Sequence, residues 1–323
     1  MKKIGDKLRS NRSLSQVLTV LLGLVIICLV FGKLNPQFFS GKNIGNLLRQ
    51  IAPILLIGVG QSFVLITGNI DLSIGSVIGM SCMISATLMT RGITSTVAVL
   101  ITLAICLVIG LLNGVLVSIC KLPPFIATLG TMTIGRGIAQ IVNNNYNTDS
   151  IGQAGESYQN FFYYGKHLGI YNSVWITLVV FIVLAVLLSY TKLGRHIYAV
   201  GSNIEAARLS GVSVFKTTTI AYVISAFLAA LAGLIMTATS GMGTMDAGTS
   251  YELYAVAASV IGGVSTLGGH GIIIGTAIGA SIWGVLQNGL QFAGAPVAIR
   301  NIIIGVVVIV SVLLDILLRR RNS

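Results

Sequence analysis

The sequence predicts an all-α protein, a polytopic membrane helix bundle with about ten transmembrane helices. Apolar residues make up 54% of the 323 positions, charged residues make up 9%, and the mean hydropathy is +0.92. Soluble domains carry charge at about a quarter of their positions. The apolar residues are also gathered into runs close to the ~20 residues that a helix needs to cross a bilayer. Because these runs take up nearly the whole chain, we expect residues 1–323 to form a single transmembrane domain.

The first apolar run, residues 14–31, is predicted to be a retained span. It is too long for the apolar core of a secretory signal peptide, and no small-residue cleavage pattern follows it. Nine further runs of suitable length follow along the chain. They cover, approximately, residues 47–67, 74–90, 94–120, 124–142, 173–190, 217–239, 252–268, 272–292 and 298–318.

The distribution of basic residues predicts the orientation of these spans. Placing the amino terminus inside puts 13 of the 20 Lys and Arg residues on the cytoplasmic side and six outside, and an excess of this kind is typical of cytoplasmic loops. An even number of spans returns the carboxyl terminus to the same side. Both termini are therefore predicted to be cytoplasmic, with an extracytoplasmic loop at residues 143–172 and a cytoplasmic loop at residues 191–216.

The residue types that carry enzymatic or metal chemistry are scattered. The three histidines, His167, His196 and His270, show no ligand spacing, and the four cysteines occur singly. Residues 211–217 lack the second glycine of a phosphate-binding loop, and residues 58–63 lack the third glycine of a dinucleotide fingerprint. We therefore predict no catalytic residues, no metal site and no cofactor bound by this chain. The lack of a basic and aromatic surface pattern argues against nucleic acid as a partner.

Several of the 38 glycines are spaced four residues apart, which predicts close packing between helices in lipid. These pairs and triplets are Gly75 and Gly79, Gly110 and Gly114, and Gly271, Gly275 and Gly279. A weak echo also links residues 68–74 with residues 262–269, but it predicts nothing by itself.

A thin set of polar residues lies within or at the ends of the apolar runs. The stretch TGNIDLSIGS, residues 67–76, interrupts the apolar sequence. A polar or ionisable group at membrane depth is costly, and it usually marks a transport path, a partner or a break in a helix. We therefore predict that four residues line a translocation pathway or hold its geometry: Asn69, Asp71, Asn113 and Arg136.

Two of these residues also have a purely structural interpretation, which stays open at this point. Asp71, followed by Ser73, could cap the helix that begins near Ile74. Arg136 could pair inside the protein or extend its charged group towards the interface.

The stretch GSNIEAARLSGV, residues 201–212, predicts a short helix outside the bilayer. Asn203 is a suitable N-cap, Glu205 places negative charge in the first turn, and Gly211 is a suitable C-cap. From these residues alone two interpretations are open. The helix could be a capped connector, or it could be a docking surface on which small residues allow close approach while Glu205 and Arg208 fix the register.

Four ordered blocks of sequence resemble a known family. Glu205-Ala206-Ala207 followed by Gly211 is similar to the EAAxxxG pattern of ABC importer permeases. The wider blocks, from about residue 36 to the end, look like ribose-type monosaccharide ABC permeases; Ser202 departs from the second glycine of many relatives. The blocks are AVGSNIEAARLSGVSV at 199–214, TGNIDLSIGS at 67–76, PFIATLGTMTIGRG at 124–137 and YELYAVAASVIGGVSTLGGHGIIIGTAIGA at 251–280.

The resemblance implies a function and a set of partners. A monosaccharide, ribose or a related sugar, would be imported across the bacterial cell membrane. The partners would be cytoplasmic ATPase subunits that bind ATP and Mg, an extracytoplasmic sugar-binding protein, and a second permease copy in a homodimer. The resemblance assigns ATPase coupling to nine residues: Gly201, Asn203, Glu205, Ala206, Ala207, Arg208, Ser210, Gly211 and Val212.

The alternative class is an ion- or proton-coupled secondary transporter of a small polar solute. In that class Asp71 and Arg136 would be the coupling residues.

Overall fold

The computed structural model describes residues 12–296, together with 298–300, 302–303, 305–307, 309–310 and 313. The described chain is a helix bundle, and the described residues between 298 and 313 are helical. Its α-helices are α1 (Arg12–Leu34), α2 (Gly41–Ile66), α3 (Ile74–Thr90), α4 (Ser95–Ser118), α5 (Pro124–Ile141), α6 (Glu156–Gln159), α7 (Asn172–Tyr190), α8 (Lys192–Ser202), α9 (Ile204–Leu209), α10 (Val214–Ser240), α11 (Tyr251–Ile261) and α12 (Ile273–Phe292).

Short irregular elements occupy the connections. Pro36–Phe39 and Gln153–Gly155 are 3-10 turns, and Asn160–Tyr164 is a single π-helical turn. Strands β1 (Lys166–His167) and β2 (Ile170–Tyr171) form a small antiparallel hairpin in which Lys166 pairs with Tyr171.

Six helices in the described part of the chain are long and apolar enough to cross a membrane. They lie at Val17–Leu34, Gly41–Ile66, Ser95–Ser118, Asn172–Tyr190, Val214–Ser240 and Ile273–Phe292. Helices α3 and α11 are apolar but shorter. The all-α membrane class is therefore confirmed, while the count of ten spans stays a prediction. The last predicted span, 298–318, lies partly outside the described residues.

The predicted span at residues 252–268 is wrong in length. Helix α11 has 11 residues and ends at Ile261, which gives a length of ~16 Å, about half of the hydrocarbon core. Gly263 then takes φ +85°, a left-handed conformation that ends a helix. A hydropathy pattern does not detect this stop, because the residues after it are still mostly apolar or small.

Helix α10 lies at the centre of the bundle. It packs against α2, α3 and α4, and its core-facing positions include many alanines. A side chain added at Gly114 of α4 would lie 2.6 Å from the Cα of Thr219 in α10. Added side chains at Gly275 and Gly279 of α12 would collide with the main-chain oxygens of Gly262 and Ala258. These glycine spacings therefore serve close packing, as predicted.

The connections sort into two groups at opposite ends of α10. This helix has 27 residues and is therefore ~40 Å long. The 191–213 segment leads into its first residue. At its other end the external candidate loop is hydrogen-bonded to residues that follow α10: Thr148 N–H donates to Gly243 O at 3.0 Å, and Ile151 N–H donates to Gly241 O at 2.9 Å.

The connection between α10 and α11, residues 241–250, runs along α3 inside the bundle. An added side chain at Gly243 would touch Ala86, and one at Gly248, which has φ +71°, would touch Ile78. The segment is not helical. Irregular backbone at this depth is tolerated where protein buries it or where it lines a cavity, and both conditions hold here.

Candidate coupling segment and translocation site

Three consecutive helix starts near the predicted coupling segment are capped by side chains. The Thr191 Oγ1 accepts from Gly194 N–H at 3.3 Å at the start of α8, and the Asn203 Oδ1 accepts from Ala206 N–H at 2.9 Å at the start of α9. The Ser213 Oγ accepts from Lys216 N–H at 3.4 Å at the start of α10. Each cap satisfies a donor that a helix leaves free in its first turn. The Asn203 cap is thus confirmed.

Helix α9 ends in a Schellman motif. Gly211 has φ +81°, and its N–H donates to Arg208 O at 3.0 Å. The Val212 N–H donates to Ala207 O, also at 3.0 Å. This pair of hydrogen bonds closes the helix end, so the prediction of Gly211 as C-cap is confirmed. With both ends closed, α9 is a rigid element.

The two adjacent alanines of α9 face in opposite directions. Ala207 is 4% exposed and packs against the bundle, whereas Ala206 is exposed. Glu205 and Arg208 are exposed and form an ion pair at 3.8 Å, which contributes little in water. Leu209 is 88% exposed. The outer surface of α9 therefore presents Ala206, the ion pair and two large apolar side chains, Ile204 (49% exposed) and Leu209.

Gly201 lies at a main-chain junction and is only partly exposed. An added Cβ there would collide with Ile66 O and would lie 2.6 Å from Gly269 N. The Gly269 N–H donates to Ile66 O at 2.8 Å, and an added Cβ at Gly268 would lie 2.9 Å from Gly201 O. We call these four residues, Ile66, Gly201, Gly268 and Gly269, the glycine junction. It joins the end of α8 to the end of α2 and to the 262–271 segment.

Tyr198 reinforces this junction from the preceding turn of α8. Its hydroxyl donates to Gly271 O at 2.7 Å. Burial raises the pKa of the Tyr198 phenol, so the group remains a neutral donor.

Asp71 is buried, 1% exposed, and accepts hydrogen bonds on both oxygens. Its Oδ1 accepts from the Ser73 N–H at 2.9 Å and from the Ser73 hydroxyl at 2.6 Å. Its Oδ2 accepts from the Ser225 hydroxyl of α10 at 2.7 Å. Asp71 therefore does not cap α3 directly, because the N-cap is Ser73 and no side chain caps the first turn. It holds Ser73 in place and ties the start of α3 to the central helix.

Asn113 belongs to the same network. Its Nδ2 donates to the Ser73 Oγ at 2.9 Å, and its Oδ1 accepts from the Thr131 hydroxyl at 2.7 Å. The structure thus brings Asp71 and Asn113 together through Ser73, linking α3, α4, α5 and α10. Asn69 stands apart: its Nδ2 donates to the Thr67 Oγ1 at 2.8 Å, at the end of α2.

Arg136 lies elsewhere, beside the 241–250 segment. Its Nη1 donates to Ala247 O at 2.7 Å and to Met245 O at 3.3 Å. Gly79 provides space for the guanidinium, since an added Cβ there would lie 2.8 Å from Nη1. These contacts fit the interpretation that Arg136 is partnered inside the protein, and a pathway role for it stays a prediction.

The structure also shows a cavity that the sequence reasoning missed. It has a volume of about 460 Å³ and lies between α2, α10, α11 and α12. Among the described residues, none of the four predicted pathway residues lines it. Its polar lining includes three glutamines and three tyrosines, which are Gln50, Gln287, Gln291, Tyr163, Tyr251 and Tyr254. The spacing of Gln287 and Gln291, one turn apart on α12, was the one available signal.

These features define a class of protein before any comparison is made. A bundle of apolar helices that surrounds a cavity with both apolar and polar lining residues, with two short capped helices at one end, is typical of a membrane transport permease. Residues 43–312 match the family model described as branched-chain amino acid transport system / permease component, and the chain belongs to this family.

Individual relatives in this group carry sugar names. The chain is 37% identical to the ribose import permease protein RbsC of Escherichia coli (strain K12), over 91% of this chain and 92% of that protein. It is 39% identical to the RbsC of Bacillus subtilis (strain 168), over 93% and 92%. It is 37% identical to the fructose import permease protein FruF of Bifidobacterium longum (strain NCC 2705), over 94% and 87%. No solved structure matches the chain.

The chain is thus the permease subunit of an ABC importer and a multi-pass protein of the inner membrane, and it is not an enzyme. Permeases of this class work with an ATPase and a substrate-binding protein. The family excludes the alternative of an ion- or proton-coupled secondary transporter. The separation of Asp71 from Arg136 agrees with this, because no described contact joins the two residues.

Proposed function

We propose that this permease imports a monosaccharide, with ribose as the first candidate, delivered by an extracytoplasmic sugar-binding protein. The relatives named for ribose and fructose support a monosaccharide over an amino acid. Glutamine and tyrosine side chains in the cavity lining suit a cargo with several hydroxyl groups, and Arg49, the cationic residue of the described lining, is stacked against Tyr163 and Tyr171. In this arrangement ATP and Mg bind to the partner ATPase and not to this chain.

The ATPase docks on the outer surface of α9. A short helix with both ends capped can transmit a displacement of the ATPase to the transmembrane helices, whereas a flexible loop would absorb that displacement. Support comes from the Asn203 cap, the Schellman motif at Gly211, and the exposure of two large apolar side chains, Ile204 and Leu209, on this one short helix. Burying this apolar area against a partner would be favourable.

The glycine junction transmits the displacement of α9 to the helix bundle. Gly201 lies against Ile66 O without an intervening side chain, so movement of α8 displaces the end of α2 directly. The turn after Ile66 leads within a few residues to Asp71, which is bonded to α10. The coupling residues thus have a short physical route to the helices that line the cavity.

The assembly contains two copies of this permease, each with ten spans and both termini in the cytoplasm. Residues 143–172 then form the extracytoplasmic loop and residues 191–216 the cytoplasmic one, which agrees with their places at opposite ends of α10. Large apolar side chains remain exposed on α4 and α5, where lipid or the second copy would cover them.

Two exposed leucines provide a matched test of ATPase docking. Leu209 is 88% exposed on α9, and Leu168 is 90% exposed in the hairpin at the other end of the bundle. Leu209→Asp should weaken copurification of the ATPase about tenfold or more, since burying a leucine contributes ~1.5–3 kcal/mol. Leu168→Asp should leave it unchanged.

A steric variant provides an independent check. Ala206→Trp places a large ring on the outer surface of α9 and should abolish ATPase-driven uptake while the permease still inserts and folds. Ala207 is unsuitable for this purpose because it is buried, so a tryptophan there would disrupt α9 itself. Wild-type ATPase copurification and uptake in both Leu209→Asp and Ala206→Trp would show that α9 is only a connector.

A further inference from the structure

A second, smaller cavity lies beside the one between α2, α10, α11 and α12. This neighbour has a volume of about 300 Å³ and is lined by Lys42, Asn43 and Asn288 among others. Gln50 and Gln291 line both cavities. The two cavities therefore adjoin at Gln50 and Gln291 within one chain.

A buried pair of asparagine amides joins α2 to α12. The Asn43 Nδ2 donates to the Asn288 Oδ1 at 3.0 Å, and the Asn288 Nδ2 donates to the Asn43 Oδ1 at 3.1 Å. This reciprocal pair links the two helices. Gln50 lies two turns further in along α2 and accepts from the Asn288 Nδ2 at 3.4 Å, whereas Gln291 lies one turn nearer the end of α12. The amide groups of Gln50 and Gln291 are thereby kept at the neck between the two cavities.

The mouth of the larger cavity is formed by a cation between two aromatic rings. The Arg49 guanidinium lies 3.8 Å from the ring centroid of Tyr171 and 4.6 Å from that of Tyr163. Stacking of this kind stabilises the charge and holds the guanidinium in place. Tyr163 and Tyr171 belong to the 143–172 segment, so this segment lies over the opening.

The chemistry of the lining selects a class of ligand. Glutamine amides both donate and accept hydrogen bonds, which matches a molecule that carries several hydroxyl groups. Tyrosine rings supply flat apolar faces, and no acidic side chain lines the cavity among the described residues. The volume of about 460 Å³ lies in the range of about 300–1,000 Å³ that small-molecule sites occupy.

The cavity residue Tyr254 packs against a buried tryptophan. Tyr254 lies against Trp283, with the ring centroids 4.6 Å apart. Trp283 is fully buried, and its Nε1–H has no partner among the described residues. Trp283 does not itself line the cavity, and its contact with Tyr254 holds that ring in place.

We propose that this cavity binds one neutral monosaccharide within each permease chain, as a station on the import route. Gln50, Gln287 and Gln291 bind its hydroxyl groups, and Tyr254 contacts its apolar face. The proposal rests on the sugar-importing function above, and it places recognition inside the single chain in addition to the separate binding protein.

Conservative amide removal tests the proposal in the complete transporter, reconstituted with its ATPase and binding protein. Gln287→Leu keeps the size of the side chain but removes its hydrogen bonds, so [14C]ribose uptake should fall about tenfold, the effect of losing one or two such bonds. ATPase copurification should not change. The matched control is Gln140→Leu, an exposed glutamine at the end of α5 that lines neither cavity. Wild-type uptake by Gln287→Leu would overturn the proposal.

A binding measurement separates this proposal from the proposed function. Thr244→Cys places a thiol in the cavity lining, and millimolar ribose should slow its reaction with a membrane-impermeant thiol reagent in sealed vesicles. Leu168→Cys, outside the cavity, should react at the same rate with and without sugar. Uptake of ribose by the wild type without any protection of Thr244→Cys would overturn the internal site alone. Protection without uptake would overturn the importing function and leave the site standing.

Discussion

Asp71 is a buried carboxyl group whose hydrogen-bond partners are a main-chain N–H and two hydroxyl groups. It therefore needs no cationic partner, and the described residues provide none. Burying such a group is costly unless its oxygens are bonded, and here three donors reach it. At the scale of single residues, the buried polar side chains around Asp71 are stabilised chiefly by hydrogen bonds to residues of neighbouring helices.

Gln61 is a contrasting case, because its side chain is buried without bonding. It is 0% exposed in α2, and both its Oε1 and its Nε2 lack a partner among the described residues. It lies on the same face of α2 as the cavity residues Gln50 and Ile54, at helical spacing. Burying an unpaired amide costs free energy in this conformation. We expect the Gln61 amide to form hydrogen bonds in another conformation of the transport cycle, in which the cavity extends to it.

Gln61→Leu should stabilise the resting state. Removing an unpaired buried amide recovers about 1–3 kcal/mol, so the unfolding midpoint in detergent should rise, while ribose uptake should fall. The exposed Gln140→Leu should change neither quantity. A lower midpoint for Gln61→Leu would mean that the amide is bonded in the folded protein.

At the scale of elements, the ends of the helices were more predictable than their contacts. Asn203 and Gly211 act on residues close by in sequence, so their caps could be predicted from residue type and spacing. The glycine junction could not, since it joins main-chain atoms of segments that are distant along the chain. The early end of α11 was missed for a related reason: Gly262 fits against Gly275 of α12, and packing decides that stop.

Gly201→Ala tests the glycine junction as a coupling element. The added methyl group would collide with Ile66 O, so α8 must move away from α2. We expect the stimulation of ATP hydrolysis by loaded binding protein to fall about tenfold, a coupling loss of ~1–2 kcal/mol, while ATPase copurification persists. Gly23→Ala, at a site on α1 with no atom within 4 Å of the added Cβ, is the control. Normal stimulation in Gly201→Ala would exclude the junction from the coupling route.

At the scale of the whole molecule, composition and apolar runs were sufficient to predict a membrane helix bundle. The cavity was not predictable, because Gln50 and Gln287 come together only when α2 packs against α12 and both face the same space. The pathway residues chosen from the sequence were selected for their rarity in apolar runs. Polar residues that are rare in apolar runs do form a hydrogen-bond network around Asp71, but they do not line the cavity.

The proposed topology has a direct test at two matched positions. Leu168 and Leu209 are almost equally exposed, at 90% and 88%, and lie at opposite ends of the bundle. In intact cells an impermeant thiol reagent should label Leu168→Cys but should reach Leu209→Cys only after permeabilisation. A parent in which Cys120 is replaced by serine removes the exposed native thiol. Labelling of both positions from the same side would contradict the ten-span arrangement.

The bonding of Asp71 has an electrical consequence for transport. Its donors are uncharged, and Arg49 at the cavity mouth stays fixed between two tyrosine rings. A neutral sugar on such a route carries no charge through the bilayer, so a voltage worth ~2.3 kcal/mol per charge per 100 mV has nothing to act on. Import at constant ATP should therefore be electroneutral. Clamping the voltage of proteoliposomes with potassium and valinomycin should leave the initial rate unchanged, and a voltage-dependent rate would reveal an ion that travels with the sugar.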